Sequence, residues 1–212
     1  MPKVTPIYGD GILNAVVVAA ATRALLDKNV GFHKSISNVV LTGPTGISQA
    51  MTFDVEDSDN DVGYLNKKQI TTMIKNNGIR FWGNRTPSAD PRFAFEVATR
   101  TAQIIKDSII EACFPFIDQP LTPFLAKDII DSINAFLRRL ASGKDRRIMG
   151  GSVWYDNAEN SVEALNEGIL AIDYDFTPIP PLENLVLNQR ITGRYMIDFG
   201  KLITGSGIEE AA

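Results

Sequence analysis

The 212-residue chain is long enough for one substantial core or two small ones, and its 44% hydrophobic and 22% charged residues are those of a globular protein. A formal net charge of −4 excludes a general attraction to nucleic acid. One cysteine, Cys113, excludes an internal disulfide framework and any multi-cysteine metal site, and one histidine, His33, excludes a polyhistidine site.

Residues 1–11 read as an approach segment punctuated by Pro2, Pro6 and Gly9. The run "ILNAVVVAAATRALL" is too short and too mixed for a membrane span; residues 12–28 favour a helix, with some strand ambiguity at Val16 to Val18. His33 follows Phe32 at the boundary after that helix and suits a local hydrogen-bonding role better than catalysis. "GPTGISQ", residues 43–49, has glycines but lacks the lysine and following hydroxyl residue of a phosphate loop, so it reads as a turn. Asp54, Glu56, Asp57, Asp59 and Asp61 lack the spacing of a calcium loop and read as an exposed acidic loop. A helix is expected over 65–75, with Leu65, Ile70, Met73 and Ile74 on one side.

"NNGIRFWGNRT", residues 76–86, sets Ile79, Phe81 and Trp82 between turn glycines, which predicts a very short strand or bulge. Phe93, Phe95 and Val97 alternate with Ala94 and Glu96, the period of a strand over 92–97. Arg80, Trp82 and Arg85 have the residue types of a nucleic-acid contact. Without a repeated aromatic-basic stripe, though, Arg80, Arg85, Arg92 and Arg100 are expected to hold a corner through carboxylate or backbone contacts.

Ala98, Ala102, Ile105, Ile109 and Ala112 then define a helical face. Cys113 ends that pattern, where burial is the expectation rather than reactivity. After the "FPFIDQP" joint, Thr122 is placed to cap and Pro123 to open a second helix, with a stripe of Leu125, Ile129, Ile133, Phe136 and Leu140. Arg138, Arg139, Lys144, Arg146 and Arg147 read as its solvated basic end. "GGSVWYD" opens a strand, and "GILAIDYDF" alternates so that Leu170, Ile172, Tyr174 and Phe176 face inward while Asp173 and Asp175 face solvent or a partner. "PIPP", residues 178–181, breaks the ladder before "LENLVLNQRITGRYMIDF", an extended strand or arm. The pattern as a whole predicts an α/β fold: a mixed central β-sheet flanked by helices, with extended terminal arm segments and α+β packing as the variant. No nucleophile elbow or dinucleotide fingerprint accompanies the serines and glycines.

Residues 76–86 resemble the "NG-I/R-W-G-RT" region of contractile tail sheath proteins. The resemblance continues through "DPRFAFEVATRTAQIIKDSIIEACF", "LTPFLAKDIIDSINAFLRRL", "NAENS" and "GILAIDYDFTPIPPLENLVLNQRIT", and is nearest to sheaths of P2-like phages. It implies an assembly-forming inner domain over 12–198 and a flexible tail over 199–212. A typical sheath protein also has a preceding arm and outward-facing domains, which this chain is expected to hold only in part. The implied function is that of a structural subunit polymerising helically around a tail tube and contracting to drive it through an envelope. Implied partners are further copies of itself, the tube protein, and baseplate and tail terminator proteins, with no cofactor, nucleic acid or membrane insertion. The implied location is the virion, after assembly in the host cytoplasm. Assembly candidates are Gly78, Arg80, Trp82, Gly83, Arg85, Arg100, Asn160 and Pro181. A different class, a small hydrolase or nucleotide-using enzyme with a dispersed active site, is the alternative.

Overall fold

A computed structural model describes residues 4–193, Met196 and Phe199. The tail expected over 199–212 lies outside the described residues, apart from Phe199. Within the approach segment, β1 (Pro6–Tyr8) pairs with β2 (Gly11–Ile12) in a hairpin around Gly9, whose φ of 55° a glycine accepts readily. Asn14 then caps α1 (Ala15–Asn29) by accepting from the Val16 amide at 2.9 Å. β3 (Gly46–Ile47), inside the expected 43–49 turn, returns along β1 and gives the antiparallel order β2-β1-β3.

The helix expected over 65–75 divides in two. α2 (Asp61–Lys67) begins earlier, because the Asn60 side chain accepts from the Gly63 amide. It ends at Lys67, Gln69 beyond it takes φ 59°, and residues 72–75 form the strand β4 (Thr72–Lys75). Met73 and Ile74 are both buried there, one on each face, so the apolar pair that looked helical is a strand enclosed on two sides. β4 pairs antiparallel with β5 (Ile79–Trp82), the short strand expected at the corner, and residues 38–41 run along its other edge, where the Asn38 and Leu41 amides donate to the Phe81 and Ile79 carbonyls.

The strand expected over 92–97 is absent. Pro91–Phe93 is a 3-10 turn opened by the Asp90 side chain, which accepts from the Arg92 amide, and α3 (Glu96–Cys113) follows at once. Only an isolated bridge between Arg85 and Phe95 survives of the strand pattern. The alternation misled because Phe95 lies under Arg85 while Val97 enters the core with Ala98 and Thr101, a helical spacing. α4 (Pro123–Ala141) starts as expected: Thr122 Oγ1 accepts from the Leu125 amide at 3.1 Å, with Pro123 in the first turn. β6 (Ile148–Trp154) packs against α4 and pairs antiparallel with β7 (Asp173–Pro178), which begins four residues later than the alternation from Ile169 suggested. The short α5 (Val162–Asn166) sits between them. The mixed α/β class therefore stands, with the strands dispersed, among the described residues, over three small antiparallel sheets instead of one central sheet.

Two apolar cores result. One gathers Val18, Leu41, Met73, Ile79 and Phe81; the other gathers Ile105, Ile133, Leu137, Ile148 and Val153, with Ile172, Tyr174 and Phe176 of the predicted inward face packed against it. Cys113 is half-buried at the margin of the second core, and burial pushes its thiol upward, as expected of a packing residue. By contact the chain divides into a unit over residues 1–181 and a second over 182–212. No described helix is long and apolar enough to cross a membrane.

These packing facts set two stability outcomes. Leu137→Ala empties a fully buried position and is expected to cost about 2–5 kcal/mol in denaturant unfolding. Gly83→Ala, whose new Cβ would stand 2.8 Å from Thr71 Cα at φ +131°, is expected to cost more than about 1 kcal/mol, whereas Gly150→Ala, with nothing within 4 Å, changes stability by less than about 0.5 kcal/mol.

Candidate assembly site

The corner is built by the β4–β5 hairpin. Asn77 and Gly78 both take positive φ, 46° and 105°, and the Asn76 amide closes the loop onto the Gly78 carbonyl at 2.9 Å. Arg80 crosses from β5 to reach Asn38 Oδ1 at 2.8 Å and the Asn77 carbonyl at 3.0 Å. Trp82 packs edge-on to Phe53, with ring centroids 5.1 Å apart, and its Nε1 donates to the Asn66 side chain, whose amide in turn donates to the Ile70 carbonyl, each at 3.1 Å. Gly83 donates its amide to Ser37 Oγ at 3.1 Å. Arg85 stacks over the Phe95 ring at 5.0 Å. Gly78, Arg80, Trp82, Gly83 and Arg85 are thus brought together as a scaffold that fixes how the chain turns from β5 into α3.

Arg100 belongs to a different cluster. It pairs with Asp27 of α1; Asp27 also takes Arg23, at 2.9 Å, and Arg23 reaches Glu96 of α3 at 3.3 Å. Burial, outweighing the nearby Arg23, pushes the Glu96 carboxyl above its usual range. The four side chains bind α1, which contributes Val18 to the first core, to the first turns of α3, which contributes Ile105 to the second. Arg23, Asp27 and Glu96 were not singled out in the sequence, although the four-residue spacing of Arg23 and Asp27 on one helix is the signal that marks half of the cluster. Arg92, the remaining corner arginine, makes an exposed pair with Asp90 at 2.7 Å.

Asn160 is buried and saturated. Its Nδ2 donates to the Asp156 and Ala171 carbonyls at 2.8 and 2.9 Å, and its Oδ1 accepts from the Ala171 amide at 2.8 Å, so it pins the loop between β6 and α5 to the approach of β7. On the other side, Asn134 of α4 brackets Val153 of β6, donating to its carbonyl at 3.3 Å and accepting from its amide at 3.1 Å. Asp175 accepts from both the amide and the hydroxyl of Ser152, so one of the two outward aspartates clips the strands together. Pro181 ends the first unit. Beyond it, residues 182–193 form neither helix nor strand, and Leu182, Leu187 and Ile191 are 78%, 80% and 95% exposed. The sequence read this stretch as an extended arm or strand; no strand pairing involves it among the described residues.

Two open clefts, of about 610 and 560 Å³, are lined respectively by the corner with α3 and by the acidic loop with α2, and His33 lines neither. The acidic loop is exposed, and no three of its side chains gather as a metal site among the described residues. Asp61 instead accepts from the Thr52 amide and hydroxyl, which hold its carboxyl below the usual range.

Residues 88–192 match the family described as phage tail sheath C-terminal domain. The chain is 46% identical over 182 residues to the tail sheath protein of Escherichia phage P2, covering 86% of this chain and 46% of that one. It therefore spans about half the length of the curated relatives it matches. Its fold is similar to a chain of the anti-feeding prophage baseplate (TM-score 0.77, 20% identity, covering 89% of this chain and 53% of that one). It is similar too to a chain of an extracellular contractile injection system, the PVC sheath complex in the contracted state (TM-score 0.76, 18% identity, 92% and 55%).

Two experiments test the geometry. Asn160→Ala strands the Ala171 amide and two carbonyls, and is expected to lower unfolding free energy by about 1–3 kcal/mol. A double-mutant cycle on Asp27→Asn and Arg100→Gln is expected to return a coupling of about 1–3 kcal/mol; additive single effects would show that the pair does not tie α1 to α3.

Proposed function

The chain belongs to the phage tail sheath family, and from that membership we propose that it is a structural subunit of a contractile tail sheath, not an enzyme. Copies polymerise helically around a tail tube, and contraction of the lattice drives the tube through the target envelope. The assembly portion is residues 12–198, led in by 1–11, and its partners are further copies, the tube protein, the baseplate and the tail terminator. Its place is the virion tail, after assembly in the host cytoplasm.

The observation that carries this reading is the segment after Pro181. Leu182, Leu185, Val186, Leu187 and Ile191 are all exposed on a stretch without helix or strand, directly after a proline-rich stop. Exposed apolar side chains in an unpaired segment cost free energy in water and gain it once covered. An extended segment of this composition can add to a sheet edge, where backbone hydrogen bonds supply affinity and alternate side chains supply register. The β6–β7 sheet is a fitting acceptor: β7 has no strand on its outer side among the described residues, and Asn160, Asn134 and the Ser152–Asp175 clip hold the pair rigid before anything docks. Rigid acceptors lower the ordering cost of association. A lattice linked by such arms keeps its neighbours connected while its other contacts repack, which a two-state mechanical assembly requires.

The experiment is to replace Leu185 and Val186 with aspartate and examine assembly with tail tubes by negative-stain electron microscopy, with circular dichroism as a check on folding. Tubular sheaths from the parent and folded, unassembled protein from the variant are expected. Sheaths of normal length built from the variant would remove the arm from the mechanism.

A further inference from the structure

The junction between the two cores holds the only histidine of the chain, and nothing in the assembly reading uses it. His33 lies in the loop after α1, with its ring edge-on to Phe32 at 6.3 Å. Arg147, from the loop joining α4 to β6, stacks over the same Phe32 at 5.5 Å. Gly31 is the floor on which both side chains converge: a Cβ there would stand 3.0 Å from His33 Nδ1 and 3.2 Å from Arg147 Nε. Arg23 of α1 approaches the Gly31 carbonyl at 3.5 Å while holding Asp27 and Glu96. His33 therefore meets cations from two elements, Arg23 and Arg147, with Asp145 opposing them; Asp27, Glu96 and Arg100 lie behind Arg23. Its Nδ1 is buried with no hydrogen-bond partner, so the local bonding role expected for this residue is not made at that atom.

We infer that this junction is an acid-sensitive latch: a proton on His33 sets a third cation beside Arg23 and Arg147, and α1 with its following loop releases from the helical half while that half stays folded. Links across the junction include Arg23 with Glu96, Asp27 with Arg100, and Phe32 with Arg147, and the first and last bear directly on His33. Each half has its own apolar core, so opening the junction does not dissolve either one.

The sign follows from the neighbours. Burial first, then Arg147 and Arg23, hold the imidazole below its ordinary 6.5, so the fold favours neutral His33. That contribution is complete above 6.5 and is lost as pH falls through the lower folded value. Glu96 works oppositely: burial raises it above 4.5, so its contribution is complete below 4.5 and is lost as pH rises through the folded value. Asp61, Asp90 and Glu163, all held low by hydrogen bonds, lose their contributions only below their ordinary values of 3.8, 3.8 and 4.5. Between 4.5 and 6.5, His33 and Glu96 therefore pull against each other, and removing the imidazole exposes the opposite slope.

Segment-resolved hydrogen exchange, corrected for the intrinsic pH dependence of exchange, separates the possibilities. As pH falls from above 6.5 towards 4.5, peptides of residues 23–34 in the parent chain are expected to open several-fold more, while those of 72–82 in the first core and 123–154 in the second hold. His33→Gln is expected to flatten or reverse that response. Arg147→Gln keeps the imidazole but removes a cation, and is expected to weaken the response and shift it towards 6.5. Persistence of the full response in His33→Gln, or simultaneous opening of both halves in the parent, would overturn the latch.

Discussion

The architecture depends on a charged junction between two apolar cores. The hairpin sheet, α1 and the β4–β5 corner surround one core; α3, α4 and the β6–β7 pair surround the other. At the start of α3 an ion-pair network of Arg23, Asp27, Glu96 and Arg100, partly shielded from water, ties α1 to α3 alongside the buried Val97, Ala98 and Thr101. Oil-like packing tolerates sliding, whereas planar guanidinium groups against carboxylates fix an angle as well as a distance. The cost is visible at Glu96, which burial drives towards its neutral form even with an arginine beside it.

The corner serves the same end by backbone means. Gly78 and Gly83 take dihedral angles that side chains resist, and Gly83 lies so close to Thr71 that a methyl group has no room. Between them Arg80 and Trp82 tie β5 to residues 38, 66 and 77. The direction in which the chain enters α3, and with it the placement of Glu96 and Arg100, is set before the helix begins.

Sequence periodicity made the two long helices legible, including the Thr122 cap and the Pro123 start, because each buries one stripe against one neighbour. It failed where burial is two-sided or where local side-chain bonds decide. Met73 and Ile74 are enclosed on both faces, which erases alternation, and Phe93 to Val97 alternate for reasons belonging to a 3-10 turn and a helix start. The arginines were recognised as structural, but their partners were not, since Asp27 and Arg100 lie 73 residues apart and only the fold unites them. The roles of Asn160 and Asn134 were equally hidden: an amide that substitutes for strand hydrogen bonds leaves no trace in hydrophobic pattern.

The clip between Ser152 and Asp175 has a geometric implication. Strand side chains alternate with a period of two, so a displacement by a single residue exchanges inside for outside. By locking β6 to β7 in one alignment, the clip also dictates the phase that any chain laid alongside must adopt. Under the arm reading, misaligned additions would turn their leucines and valines towards water and fall away, so the small two-stranded ribbon would act as a gauge for an incoming segment.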